Sequence, residues 1–140
     1  MNTTKILFIT VNYKDTKITE NFLDSMQRLD GFESAKVVIV DNESTPGSKK
    51  YLQRLVKRYG VATKIIYSEK NRYYWGGVAY ALERMSFSYK ANPDWIIACN
   101  NDILFRQKDF LLKLSRIDPE SYPVIAPSII STVTGKNLNP

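Results

Sequence analysis

No histidine occurs among the 140 residues, which removes imidazole both as a metal ligand and as a general base anywhere in the chain. Metal or acid–base chemistry therefore falls to carboxylates, whose oxygens suit hard ions such as Mg²⁺ and Mn²⁺. Cysteine is nearly absent too. The single Cys99 excludes an internal disulfide and fits a reducing compartment. It lies in the apolar run 95–99, where a small core residue is expected. No apolar run approaches the length that spans a bilayer, and the stretch 5–11 is too short for a signal-peptide core and lacks a small-residue cleavage site. The chain thus reads as cytoplasmic, working free or at the inner face of a membrane. With no internal repeat, low-complexity tract or linker, residues 1–140 read as a single domain with one sizeable core.

What is present is ordinary for a globular protein, with 44% hydrophobic and 24% charged residues. The net charge of +6 has a concentrated source in Lys49, Lys50, Arg54, Lys57 and Arg58, which fall on one expected helix. That face is either simply solvated or drawn to anionic lipid or a phosphate-bearing substrate. Nucleic acid is not expected as a partner, because no nucleic-acid module signature accompanies the charge.

Strand and helix signals alternate closely. Ile6, Leu7, Phe8, Ile9 and Val11 form a run expected of a strand buried on both faces. Ile18, Phe22, Leu23, Met26 and Leu29 repeat at helical spacing up to Gly31. A second strand over 37–40 ends at Asp41, and Pro46-Gly47 open a helix that Gly60 closes. A third strand over 64–67 is followed by a loop through Tyr73-Tyr74-Trp75 to Gly76-Gly77, then a helix from Val78 to Tyr89 that Asn92-Pro93 ends. A fourth strand over 95–99 runs into Asn100-Asn101-Asp102, followed by a helix near 109–117 and an extended segment over 124–130.

This alternation predicts a parallel sheet with right-handed crossovers. Ligands of such sheets bind beyond the carboxyl ends of the strands, near the switch in strand order. Asn12-Tyr13, Asp41-Asn42 and Asn100-Asn101-Asp102 all fall on that edge. The turn after the first strand contains no glycine, and there is no P-loop, so phosphates are not cradled by a glycine-rich first turn. An ion held by an acidic residue is the other common solution, and Asp102 is the candidate.

Four segments together resemble the nucleotide-binding half of glycosyltransferase family 2. They are Thr10-Val11-Asn12-Tyr13, the stretch 38–45 with Gly47-Ser48, the loop Asn71-Arg72-Tyr73-Tyr74-Trp75-Gly76-Gly77, and Asn100-Asn101-Asp102 as the N-N-D form of the family's D-x-D motif. The form is similar to that of rhamnosyltransferase-like members. The resemblance covers residue 5 to about 130 and implies a GT-A (Rossmann-like) three-layer α/β/α sandwich with a mostly parallel sheet, truncated so that the acceptor-binding half is missing or reduced.

It further implies inverting transfer of a sugar from a UDP- or dTDP-sugar to a polysaccharide or a polyprenyl-phosphate-linked acceptor, with Mg²⁺ or Mn²⁺ on Asp102. Val11, Asn12, Tyr13, Asp41, Asn71, Gly76, Gly77, Asn100 and Asn101 would line the nucleotide. Tyr73 departs from the family's usual glycine, so a different backbone path is expected there. Asp41 otherwise caps the turn after the second strand, Gly76-Gly77 otherwise serve only the helix start, and the aromatic trio either packs or stacks on sugar. No catalytic base is identifiable. The alternative reading is a non-catalytic nucleotide-sugar-binding module or an inactive fragment.

Overall fold

The computed structural model describes residues 5–60, 63–86 and 92–139. Four strands, β1 (Ile6–Asn12), β2 (Ala35–Asn42), β3 (Thr63–Ser68) and β4 (Trp95–Ala98), form one sheet in the order β3-β2-β1-β4. Every pairing is parallel, with Asn12 opposite Asp41 at the carboxyl ends of β1 and β2. The chain steps outward from β1 to β2 to β3, then returns across the sheet to β4. A right-handed crossover places a helix on one face when the step goes one way and on the other face when it reverses. Helices α1 (Thr16–Met26) and α2 (Pro46–Tyr59) accordingly share a face with the later α4 (Phe110–Leu114), while α3 (Tyr73–Ser86) covers the other. The expected three-layer sandwich is what forms.

The period of two along each strand divides the core. Ile6 and Phe8 with Val37 and Ile39 pack under Phe22, Leu23, Met26, Leu52 and Leu55. Leu7 and Ile9 with Val38 and Val40 pack under Val78, Ala81 and Met85. Central strands covered on both sides need near-continuous apolar runs, and both β1 and β2 have them. Cys99 joins the first cluster, and burial pushes its thiol up to about 12, so it stays protonated and inert.

Several expectations need correction. The stripe of α1 includes Thr19 in place of Ile18: Thr19 is fully buried and Ile18 lies outward, because Asp15 caps the helix through the Lys17 amide and fixes its rotation. The segment 73–75 is the first turn of α3, not a loop, since Asn71 Oδ1 accepts the Tyr73 amide at 2.8 Å and starts the helix early. β2 runs two residues past Val40, so Asp41 is a strand residue that pairs with β1, not a turn residue. The helix near 109–117 is regular only over Phe110–Leu114, continuing to Ile117 by tighter turn bonds. The segment 124–130 joins no strand of the sheet, and Ile130 bridges Asn137 alone. The predicted helix end near Tyr89 lies outside the described residues.

Candidate functional site

The switch in strand order falls between β1 and β4, and the polar residues collect at the carboxyl edge beside it. As register partners, Asn12 and Asp41 put their side chains on the face that α1 covers. Asn12 Nδ2 donates to Asp41 Oδ1 at 3.1 Å and to Ser44 Oγ at 3.3 Å, and Ser44 Oγ donates to the same Asp41 oxygen. From the other end, Thr19 Oγ1 on α1 donates to Asn12 Oδ1 at 2.7 Å. Asn101 Nδ2, in the turn after β4, donates to Thr19 Oγ1 at 2.9 Å. One chain of hydrogen bonds thus runs Asn101–Thr19–Asn12–Asp41, with Ser44 closing it. Each donor points toward the carboxylate, which can only accept.

Asp41 and Asn12 have no exposed surface. Burying a carboxylate without full hydrogen bonding is costly, yet Asp41 Oδ2 has no partner. Thr10 Oγ1 and Asn42 Oδ1, near the same ends of β1 and β2, are likewise buried without one. Unmet acceptors at a sheet edge are what a ligand's N–H or O–H donors would satisfy.

A second cluster stands on the opposite face. Asn42 Nδ2 donates to the Tyr73 carbonyl at 3.1 Å and to Asn71 Oδ1 at 3.3 Å, and these bonds fix the first turn of α3. Gly77 sits against this cluster. A Cβ there would meet Val11 Cγ2 at 2.8 Å and lie 3.6 Å from Asn42 Nδ2, so its glycine permits α3 to approach β1 and β2 closely. Gly76, by contrast, is exposed, and a Cβ there would be 3.3 Å from Arg72 Cβ.

Backbone strain gathers at this edge. Among the described residues, the non-glycine residues with positive φ are Lys14 (63°), Glu43 (52°) and Tyr73 (57°), which follow β1, β2 and β3 respectively. Such conformations cost of order 1 kcal/mol each and cluster at functional sites. Tyr73 therefore adopts the backbone region that glycine occupies freely; its side chain has not forced the chain out of it.

The predicted residues divide as follows. Asn12, Asp41 and Asn101 are brought together by the chain of hydrogen bonds, and the Asn12 amide is used at both ends inside the protein. Tyr13 is 41% exposed, with Lys14 Nζ 4.7 Å from its ring centre. Val11 turns toward Gly77. Asn71 belongs to the α3 cluster. Asn100 and Asp102 are exposed, the Asn100 carbonyl closing the turn onto Ile103 N at 3.4 Å. The aromatic trio splits: Tyr74 packs on the core, and burial pushes its phenol up to about 12, while Tyr73 and Trp75 are exposed. Sequence reasoning missed Thr19; it placed Asn42 on the ligand edge and Ser44 in the family stretch without giving either a contact of its own. A hydroxyl at helical spacing with Phe22, Leu23 and Met26 was the available signal for Thr19.

No group of three or more Asp, Glu, Cys or His capable of holding a metal exists among the described residues. Asp102 therefore offers one carboxylate, next in sequence to the amides of Asn100 and Asn101. That oxygen-only donor set fits Mg²⁺ or Mn²⁺ when phosphate and water oxygens complete the shell, the usual arrangement for ions delivered with a nucleotide. It does not fit an ion held by protein alone. No described helix is long and apolar enough to cross a membrane.

A sequence model described as glycosyl transferase family 2 matches residues 7–139. A mannosyltransferase, PcManGT from Pyrobaculum calidifontis in complex with GDP-Man and Mn²⁺, is similar in structure with a TM-score of 0.63 and 21% identity, over 74% of this chain and 29% of that one. S. aureus TarS 1-349 is similar at 0.62 and 21%, over 80% and 31%. The same TarS fragment in complex with UDP is similar at 0.55 and 21%, over 71% and 28%. The chain thus spans less than a third of the length of each of these structures. No curated protein matches it.

Proposed function

The chain belongs to glycosyl transferase family 2, and from that premise we propose that its carboxyl sheet edge binds the nucleoside diphosphate of a UDP- or dTDP-sugar for inverting sugar transfer. The observation that carries the reading is Asp41 Oδ2, a buried carboxylate oxygen without a partner at the carboxyl edge of β2, one strand from the switch in strand order. A nucleobase N–H or a ribose hydroxyl supplies the missing donor. Because Asp41 is fully buried, the ligand reaches it by displacing a neighbour. The Ser44 hydroxyl, bonded to its other oxygen and following the strained Glu43, is the neighbour placed to yield.

Tyr13, exposed at the end of β1, offers a ring to the base. Asp102, with the amide oxygens of its turn, would hold the divalent ion, which when bound supplies positive charge to the leaving diphosphate. Thr19, Asn12 and Asn101 hold that turn relative to Asp41. On α2, Arg58 is drawn in to Glu20 at 3.0 Å, leaving Lys50, Arg54 and Lys57 exposed on the outer face. That basic face suits a polyprenyl-phosphate-linked acceptor at the cytoplasmic surface of a membrane.

A thermal-shift panel of UDP, dTDP and GDP, each with and without Mn²⁺, tests the reading. A nucleotide at about 100 times its dissociation constant stabilises a fold by about 2.7 kcal/mol, so a clear rise in melting temperature is expected with uridine or thymidine diphosphate plus Mn²⁺. Asp102→Ala should abolish the Mn²⁺-dependent part. Silence across the panel defeats the donor assignment, and an intact Mn²⁺ effect in Asp102→Ala defeats the ion assignment.

A further inference from the structure

Thr19 carries no role in the reading above beyond support, yet its position gives it more. Within the chain of hydrogen bonds it is the link between the turn that holds Asp102 and the strand that holds Asp41. Asn101 Nδ2 reaches it from one side at 2.9 Å, and it reaches Asn12 Oδ1 on the other at 2.7 Å. It has no exposed surface, and it stands on the buried face of α1 beside Phe22, Leu23 and Met26, a face that Glu20 and Ser25 also share. A hydroxyl in that place competes with an easy apolar solution. Valine would fill nearly the same volume without a polar group to satisfy. β4 itself ends at Ala98, and the Cys99 amide makes the last bond to β1, at 3.1 Å to the Ile9 carbonyl. Beyond it, the Asn101 side chain ties the turn back to α1, and farther along the Phe105 amide donates to Ser25 Oγ of the same helix at 3.1 Å.

We propose that Thr19 is a positioning residue that couples the two ends of the nucleotide site, so that occupation of Asp41 and ion-assisted diphosphate binding at Asp102 reinforce each other. The inference rests on the nucleotide-binding reading. Its physical basis is direction. In the chain Asn101→Thr19→Asn12→Asp41 every group donates toward the carboxylate, and linked donors of one polarity strengthen one another. A ligand donor arriving at Asp41 Oδ2 displaces or reorients Ser44, which changes the demand on Asn12 and through it on Thr19. The position of Asn101, next to Asp102, then responds. Coupling between two ligand contacts is reciprocal, so the ion must raise base-side affinity by the factor with which base contact raises ion affinity.

The test uses the full chain and the ratio of UDP or dTDP dissociation constants measured without and with Mn²⁺, alongside binding of the bare nucleoside. Thr19→Val keeps the shape and removes the hydroxyl; Thr19→Ser keeps the hydroxyl and removes the methyl. The expected result is a Mn²⁺ ratio about tenfold smaller in Thr19→Val, nucleoside affinity within about twofold of the parent, and a parental ratio in Thr19→Ser. Asn101→Ala, in a half-exposed turn where loss of folding is not at issue, should lower the ratio as Thr19→Val does. An unchanged ratio in both Thr19→Val and Asn101→Ala overturns the coupling. So does a ratio that falls in Thr19→Ser but not in Thr19→Val, which assigns the position to packing. If the parent chain binds no nucleotide with or without Mn²⁺, the functional reading falls and takes the coupling with it, whereas the earlier outcomes remove the coupling alone.

Discussion

Asp41 and Asn42 are consecutive on β2 and almost wholly buried, yet they serve opposite faces of the sheet. Asp41 looks toward α1 and is the end point of bonds that reach across β1, α1 and the turn after β4. Asn42 looks toward α3, and its bonds go to Asn71 and Tyr73, which begin that helix. One residue gathers four elements at a site and the other mounts a single helix, although each keeps one buried acceptor open. The alternation of a strand is enough to produce the division. It also means that the sequence pair Asp-Asn holds two roles that only the strand register separates.

The division can be broken from the Asp41 side with the largest effect by Asn12→Leu. That change takes the acceptor from the Thr19 hydroxyl and the Asn12 donor bonds from Asp41 and Ser44, and leaves all three buried. A stability loss of about 3 kcal/mol is expected, read as a lower midpoint in urea with an unchanged slope. On the Asn42 side, Gly77→Ala puts a Cβ 2.8 Å from Val11 Cγ2, so that Val11 or α3 must shift. Overpacking of that kind, partly offset by alanine's helix preference, should cost about 1 to 2 kcal/mol. If the two faces are independent, the effects of Asn12→Leu and Gly77→Ala add in the double variant within about 0.5 kcal/mol.

The smallest expected effect sharpens what backs the Asp41 face. Glu20 on α1 is 7% exposed and bonds Lys17, Tyr51 at 2.7 Å and Arg58 at 3.0 Å, latching α1 to α2. The Lys17 bond first, then the Tyr51 bond, hold its carboxyl below the ordinary value of 4.5. A carboxylate lowered on folding adds stability above its unfolded value and loses it as pH falls through the folded one. The difference in stability between the parent and Glu20→Gln should therefore be about 1 kcal/mol at neutral pH. It should hold steady down to roughly pH 5 and shrink on further acidification, as followed by melting temperature across pH 3 to 7.

Much of this architecture was legible in residue order, for identifiable reasons. β1 and β2 are covered on both sides, and only continuous apolar runs meet that demand, so they stand out. The crossover rule then places α1 and α2 together and α3 opposite, and the switch in strand order brings Asn12, Asp41 and Asn101 to one edge. Less legible was anything that depended on rotation or tertiary capping. Whether α1 buries Ile18 or Thr19 is set by the Asp15 cap, a difference of one residue around the helix. The start of α3 at Tyr73 depends on amides from Asn42 and Asn71, so a run of aromatics and glycines looked like a loop. The chain of hydrogen bonds through Thr19 follows from both and was invisible without them.

The most direct test of the central claim is a calorimetric titration of UDP, dTDP and GDP, in Mn²⁺, into the parent chain, Asp41→Asn and Asn42→Ala. The parent should bind at least one of these nucleotides, and Asp41→Asn should weaken it about 30-fold, the loss of about 2 kcal/mol expected for a hydrogen bond to a charged group. Asn42→Ala should change affinity by less than about threefold while lowering stability by about 1 kcal/mol. Equal affinities in the parent and Asp41→Asn, or a larger loss in Asn42→Ala than in Asp41→Asn, would contradict the assignment of the site to the Asp41 face.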